Sequence, residues 1–178
     1  MKKNSAVNVA VGGLISACAL VLMLFAGIFP YGTYALPLFA GVLLIPIYVE
    51  FGAYWALIVY VAVSILSLIL VADKEAAVLF TLFFGYFPVL KAYIEKLKSL
   101  VLKYLIKFVI FNIAAVSSYF IMLFIFNMNS DDFTVLGVNI PLVLLAVGNI
   151  LFLIYDKCLT ICVSIYFSKY RAILWKHR

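Results

Sequence analysis

Histidine is almost absent from this chain. The single one, His177, stands beside the end of the sequence on a basic tail, where no triad partner is held around it. The sequence contains no HExxH, no Walker loop and no GxSxG. An intramembrane protease of the rhomboid or zinc type needs a Ser/His or His/Glu set that is missing here. Catalysis is therefore not expected, and no cofactor or metal is assigned. A metal substrate is also disfavoured, because no histidines gather near the N-terminus or on the outer side.

Cysteine is scarce as well. Cys18, Cys158 and Cys162 all sit in apolar surroundings, the last two four residues apart with no CxxC spacing. All three read as free thiols. Charge is the third shortage. Only 11% of the 178 residues are charged, 69% are hydrophobic, and the mean hydropathy is +1.26. A soluble domain is typically about 25% charged and 45–50% apolar. No soluble fold of this size has the interior to hide so much apolar surface, so the solvent is a bilayer. No stretch is polar enough for a separate soluble domain, and residues 1–178 read as one polytopic membrane domain. The net charge of +6 would suggest nucleic acid for a soluble protein. Here the basic residues lie between and beside apolar runs, the pattern that orients membrane proteins, and no nucleic-acid partner is expected.

Apolar runs and their breaks predict an all-α protein of six spans. The first covers roughly Ala6–Phe29 and stops at Pro30-Tyr31-Gly32. Lys2 and Lys3 precede it, but the run exceeds a signal-peptide core of about 7–15 residues, so it reads as a retained helix. The second covers Tyr34–Val49, with Pro37, Gly41 and Pro46 inside. The third covers Phe51–Ala72 and ends at the charged Asp73-Lys74-Glu75 turn. The fourth covers Ala76–Ile94 and contains Gly85 and Pro88. A charged stretch spans Lys91–Lys103. The fifth covers Tyr104–Phe126, followed by the polar loop Asn127–Asp132. The sixth starts near Leu136–Pro141 and reaches at least Tyr155. No Gly or Pro breaks its far end, which favours one continuous helix to about Ser168. An interfacial helix over Cys158–Trp175, carrying Tyr166, Tyr170 and Trp175, is the alternative.

With Lys2 and Lys3 inside, six crossings also place the Lys91–Lys103 stretch inside, together with the tail of Lys169, Arg171, Lys176, His177 and Arg178. Asp131 and Asp132 fall outside. Every lysine cluster then lies on one face, as the positive-inside rule requires. The expected location is the plasma membrane, with both termini cytoplasmic.

Ionisable groups in spans are costly, and are usually paired or functional. Here they are Glu50, Lys91, Lys107, Asp156 and Lys157, all toward the cytoplasmic half. Asp156 is positioned to pair with Lys107 or Lys91. These charges read either as helix-end snorkelling with a structural ion pair, or as a coupling site for a cytoplasmic partner. Asn112 and Asn149 are the deepest polar side chains, serving as interhelical glue or as the lining of a ligand cavity. Ala6, Ala10, Gly13 and Ala17 share one face of the first span. Such a face packs against another helix of the chain or docks on a different subunit. The turn from Phe29 to Pro37 holds Tyr31, Thr33 and Tyr34 between two prolines. It reads as an aromatic belt or as a shaped ligand lid at the outer mouth. Tyr54, Trp55 and Tyr60, with Phe84 and Tyr86, extend an aromatic wall or fill the bundle.

Six spans, both ends inside and a small-residue face on the first helix resemble the S component of energy-coupling-factor (ECF) transporters. Ala10, Gly13 and Ala17 match the small-residue pattern through which that family docks on its coupling subunit. The run from Leu36 to Trp55, with Pro37, Gly41, Pro46 and Gly52, is similar to the family's Pro/Gly-rich second helix and turn, although Glu50 departs from it. The resemblance implies a six-helix substrate-binding subunit that takes a small solute from outside. Energy would come from a separate coupling subunit and two ATPases. Tyr31, Thr33, Tyr34, Asn112 and Asn149 are the candidate solute contacts. The alternative from a different class is a non-transport scaffold, assembly or lipid-interacting factor, whose basic residues meet membrane lipids.

Overall fold

A computed structural model of the chain describes residues 5–29, 32–126, 134–135 and 138–170. Tyr31, the Asn127–Asp132 loop and the tail beyond residue 170, Trp175 included, lie outside the described residues. Among the described residues the protein is all-α apart from one short hairpin. Six helical segments are long and apolar enough to cross a membrane: Ala6–Leu24, Gly32–Phe51, Ala53–Leu70, Lys74–Ile94, Leu100–Phe124 and Leu145–Lys169. This is a multi-pass membrane protein by that length and composition.

The first span is α1 (Ser5–Leu24). The second is split into α2 (Gly32–Val42) and α3 (Leu44–Phe51). Pro46 explains the split, because it has no N–H to offer the carbonyl four residues back, at Val42. The third span is α4 (Ala53–Leu70). It is joined to α3 by Gly52 alone, at φ 89° and ψ 177°, a region essentially reserved for glycine.

The fourth span begins with α5 (Lys74–Leu79), continues as a π-helical turn over Phe80–Phe84, and resumes as α6 (Phe87–Ile94). Asp73 caps α5 by accepting from the Ala76 N–H at 3.0 Å. The Asp73–Glu75 segment is thus a capped helix start rather than a free turn. Gly41 of α2 lies so close to the π turn that a Cβ there would strike the Phe84 carbonyl. The fifth span, α7 (Leu100–Phe124), is capped by Ser99 and starts four residues earlier than expected. The charged Lys91–Lys103 stretch is therefore mostly helix: Lys91 belongs to α6, and Lys103 and Lys107 belong to α7. At a rise of about 1.5 Å per residue α7 runs for roughly 37 Å, longer than a hydrocarbon core of about 30 Å.

A two-residue hairpin, β1 (Thr134–Val135) with β2 (Val138–Asn139), leads into α8 (Ile140–Ile165). A further π turn, Tyr166–Tyr170, prolongs α8. The far end of the sixth span is one continuous helix, as the missing breakers predicted. The hairpin was not expected.

α1 packs on α4 and α2. A Cβ on Gly12 would touch Val59, and one on Gly27 would touch Ala72 and Asp73. α1 and α4 therefore run parallel, as alternate spans must. One core gathers Met23, Leu44, Ile47, Val63 and Phe80. A second gathers Ile45, Phe83, Phe87, Phe152 and Leu159. Large apolar side chains also cover the outside, among them Leu14, Tyr54, Ile69, Val101 and Phe124. Exposure on that scale suits a surface solvated by lipid.

Candidate functional site

At one end of the bundle lie the turn at Gly52, the turn between α6 and α7, and the last turns of α8. Here three helices bring ionisable groups into the interior. Lys91 and Glu95 are four apart, as are Lys103 and Lys107, so each pair shares one helix face. Asp156 reaches them from α8. The Lys91 Nζ donates to Asp156 Oδ1 at 2.5 Å and to the Asp156 backbone carbonyl at 2.6 Å. The Lys107 Nζ sits 2.9 and 3.0 Å from the two Asp156 oxygens and donates to Glu95 Oε1 at 2.5 Å. Lys103 adds a 3.2 Å contact to the other Glu95 oxygen. Asp156 thus meets both lysines named as its candidate partners.

Burial makes this network more than helix-end snorkelling. Lys107 is 2% exposed, Asp156 4% and Lys91 7%. Charges so deep persist only when paired and hydrogen-bonded. Glu95 is the member beyond the spans. The Lys107 hydrogen bond, aided by that from Lys103 and opposed by partial burial, holds its carboxyl below the usual carboxylate range.

An aromatic cluster adjoins the network one helical turn away, since Phe87 and Phe152 stand four residues before Lys91 and Asp156. Phe83 and Phe87 have centroids 4.6 Å apart, and Phe111 stacks on Phe152 at 4.9 Å. Tyr155, next to Asp156, packs on Phe84 and Phe87. Its buried hydroxyl has no hydrogen-bond partner among the described residues and lies beside Gly41. These rings form an apolar layer on one side of the network, and a lower dielectric there strengthens its electrostatics.

A cavity of about 720 Å³ opens beside the network, between α3, α6, α7 and α8. Ile45, Val49, Val163 and Phe167 form apolar walls. Its polar lining consists of the Lys91 and Lys157 ammonium groups, the Glu95 and Asp156 carboxylates, Thr160, and the tyrosines Tyr48, Tyr93 and Tyr104. Glu50 lies close to this end, where its Oε1 accepts from the Tyr166 hydroxyl at 3.3 Å.

The opposite end differs. Thr33 donates to Asp73 at 2.6 Å, and Tyr34 donates to Glu75 at 2.8 Å. The start of α2 is thereby latched onto the start of α5. Beneath the latch the bundle is filled by Ala26, Ala40, Val71, Ala76 and Ala77, all fully buried. What remains is a shallow depression of about 520 Å³ lined by Thr33, Asp73 and the turn after α1. Thr33 and Tyr34 are therefore together. Asn112 and Asn149 form a separate pair elsewhere, each amide donating to the other's carbonyl oxygen, at 2.9 and 3.1 Å. Each also donates to the carbonyl four residues back, at Phe108 and Leu145. This clamp joins α7 to α8 and is satisfied within the protein. Tyr60 fills the bundle, donating to the Thr81 carbonyl at 2.6 Å with its ring against Tyr86 and Phe80, whereas Tyr54 is exposed.

Sequence reasoning passed over Glu95 and Lys103 as members of the network, although the four-residue spacing from Lys91 and to Lys107 pointed to them. The groove tyrosines carried no such signal, because they come from three separate helices. Compared with protein-family models, with curated proteins and with solved structures, the chain matches none.

Proposed function

We propose that the chain is the solute-binding membrane subunit of an ECF-type uptake transporter. It sits in the plasma membrane with both termini cytoplasmic, performs no chemistry, and relies on a separate coupling subunit and two ATPases. The observation that carries this reading is the free face of α1. Ala6, Ala10, Gly13 and Ala17 are all exposed, and nothing lies within 4 Å of where a Gly13 Cβ would be. The same helix buries Asn8, Gly12, Ala19 and Met23 against its neighbours. Small residues let membrane helices approach closely, so the unused face suits a helix of another subunit better than one of this chain. The lysine-rich end faces the cytoplasm on this reading. The Thr33–Asp73 and Tyr34–Glu75 latch then closes the outer mouth, and a solute enters once those two bonds part and α2 moves away from the alanine-filled packing beneath them.

The size and place of the charged groove favour a second reading, a lipid-interacting scaffold or assembly factor. Co-purification of the tagged protein from its native membrane separates the two. Recovery of a coupling subunit with an ATPase pair, lost in Gly13→Leu, supports the transporter subunit. Recovery of the chain alone, with no bound solute, overturns it.

A further inference from the structure

We infer that the groove at the lysine-rich end binds the phosphodiester headgroup of an anionic phospholipid. The inference does not rest on the transporter reading, because it needs neither a partner subunit nor a transported solute.

Charge is the first support. Among the described residues Lys91, Lys103 and Lys107 pair with Glu95 and Asp156 alone, so the network behind the groove carries one surplus positive charge, and Lys103 and Lys107 offset the two carboxylates that line the groove itself. Lys157, exposed on the rim, adds another and has no ion pair among the described residues. An uncompensated cation is unfavourable in a low-dielectric setting, and an anion in the groove removes that penalty.

Donors are the second support. An ammonium has three protons. Lys91 gives two of them to Asp156, one to the carboxylate and one to the backbone carbonyl. The third has no protein acceptor among the described residues, and Lys91, more than nine-tenths buried, lines the groove. Its third proton is available to a phosphate oxygen there. Tyr48 and Tyr93 line the same space and carry hydroxyl groups that can donate to it.

Shape is the third support. About 720 Å³ falls within the roughly 300–1,000 Å³ typical of small-molecule sites. Ile45 and Val49 of α3, Val163 of α8 and Phe167 of the π turn beyond it give it a greasy side. That side continues into helices whose outer faces are apolar. Glycerol and the first acyl carbons fit such a wall, whereas a free phosphate would leave it uncovered. Basic pockets between spans are a recurrent way of holding acidic headgroups.

The test uses the purified, delipidated full chain in detergent, followed by native mass spectrometry with phosphatidylglycerol, phosphatidylcholine or inorganic phosphate. Phosphatidylglycerol is expected to stay bound at collision energies that strip phosphatidylcholine, and inorganic phosphate is expected not to displace it. Lys157→Gln should weaken phosphatidylglycerol binding about fivefold, the effect of one basic residue at an anionic surface. Lys98→Gln, on the α6–α7 turn and outside the groove, should leave it unchanged. Val49→Trp should weaken binding by narrowing the apolar side of the groove without altering charge, with the melting temperature measured alongside to establish folding. Equal retention of the two lipids would overturn the site. So would phosphate binding as tight as lipid binding, which would mark a soluble-anion site. Equal effects of the Lys157 and Lys98 variants would reduce it to diffuse surface charge and overturn it too.

Discussion

Replacing Asp156 by Asn keeps the side-chain volume and removes one charge. Both lysines at Asp156 then lose their shared counterion. Removing one partner of a buried ion pair costs about 3–5 kcal/mol. Two contacts survive here: Lys91 keeps the Asp156 backbone carbonyl, and Lys107 keeps Glu95. The loss should therefore fall near the lower bound, about 3 kcal/mol. At roughly 2–4 °C per kcal/mol for a chain of this size, thermal unfolding in detergent should drop by roughly 6–12 °C. The triple variant Lys91→Met, Lys107→Met, Asp156→Leu removes the core charges together and leaves Glu95 with Lys103. Apolar replacement of a complete buried pair is often neutral or stabilising, so this variant should recover to within about 3 °C of the parent. The assay is a detergent melting curve on the three proteins side by side. An Asp156→Asn variant that melts within about 1 °C of the parent would refute the reasoning. A triple variant that melts as low as Asp156→Asn would refute it equally, because the defect would then be packing and not unpaired charge.

Further predictions concern other parts of the fold. Gly52→Ala should cost about 1–3 kcal/mol through backbone strain alone, since its Cβ would meet nothing within 4 Å, and the same melting curves measure it. A double-mutant cycle on Asn112→Ala and Asn149→Ala should give a coupling energy of about 0.6–1.7 kcal/mol, the range of interhelical hydrogen bonds in membranes; additive losses would deny the clamp. Glu95 titrates below its ordinary range in the folded protein. Its contribution is present above the unfolded carboxylate pKa and is lost as pH falls through the folded one. Acid melting profiles of Glu95→Gln should accordingly be flatter than the parent's between about pH 5 and the folded pKa.

Much of the fold was legible in the residues. A chain with 69% hydrophobic and 11% charged residues has no stable water-soluble solution, and six runs near 20 residues dictate six spans. The breakers acted as their chemistry requires. Pro46 split the second span, Gly52 separated α3 from α4, and the missing breaker after Tyr155 left α8 continuous. The presence of charge in the spans was also plain, as was Asp156 as a partner for Lys91 or Lys107. The π turn at Phe80–Phe84 was not, because it rests on α2 approaching at Gly41 and on the Tyr60 hydroxyl taking the Thr81 carbonyl. Those contacts are remote in sequence.

Local physics thus set how many helices form and where each begins, because helix hydrogen bonds close within four residues and lipid solvation acts on each run separately. Which polar groups meet depends on how the helices rotate and stack, and no single run encodes that. Tertiary packing decided that Asn112 and Asn149 satisfy each other, that Thr33 and Tyr34 latch the start of α5, and that the small face of α1 stays open. It also put a cavity of about 720 Å³ beside Lys91 and Asp156, at the lysine-rich end, and filled the bundle beneath the Thr33–Tyr34 turn. The scarcity of charge determined the solvent of this protein, and the packing of six helices determined where its few charges are held.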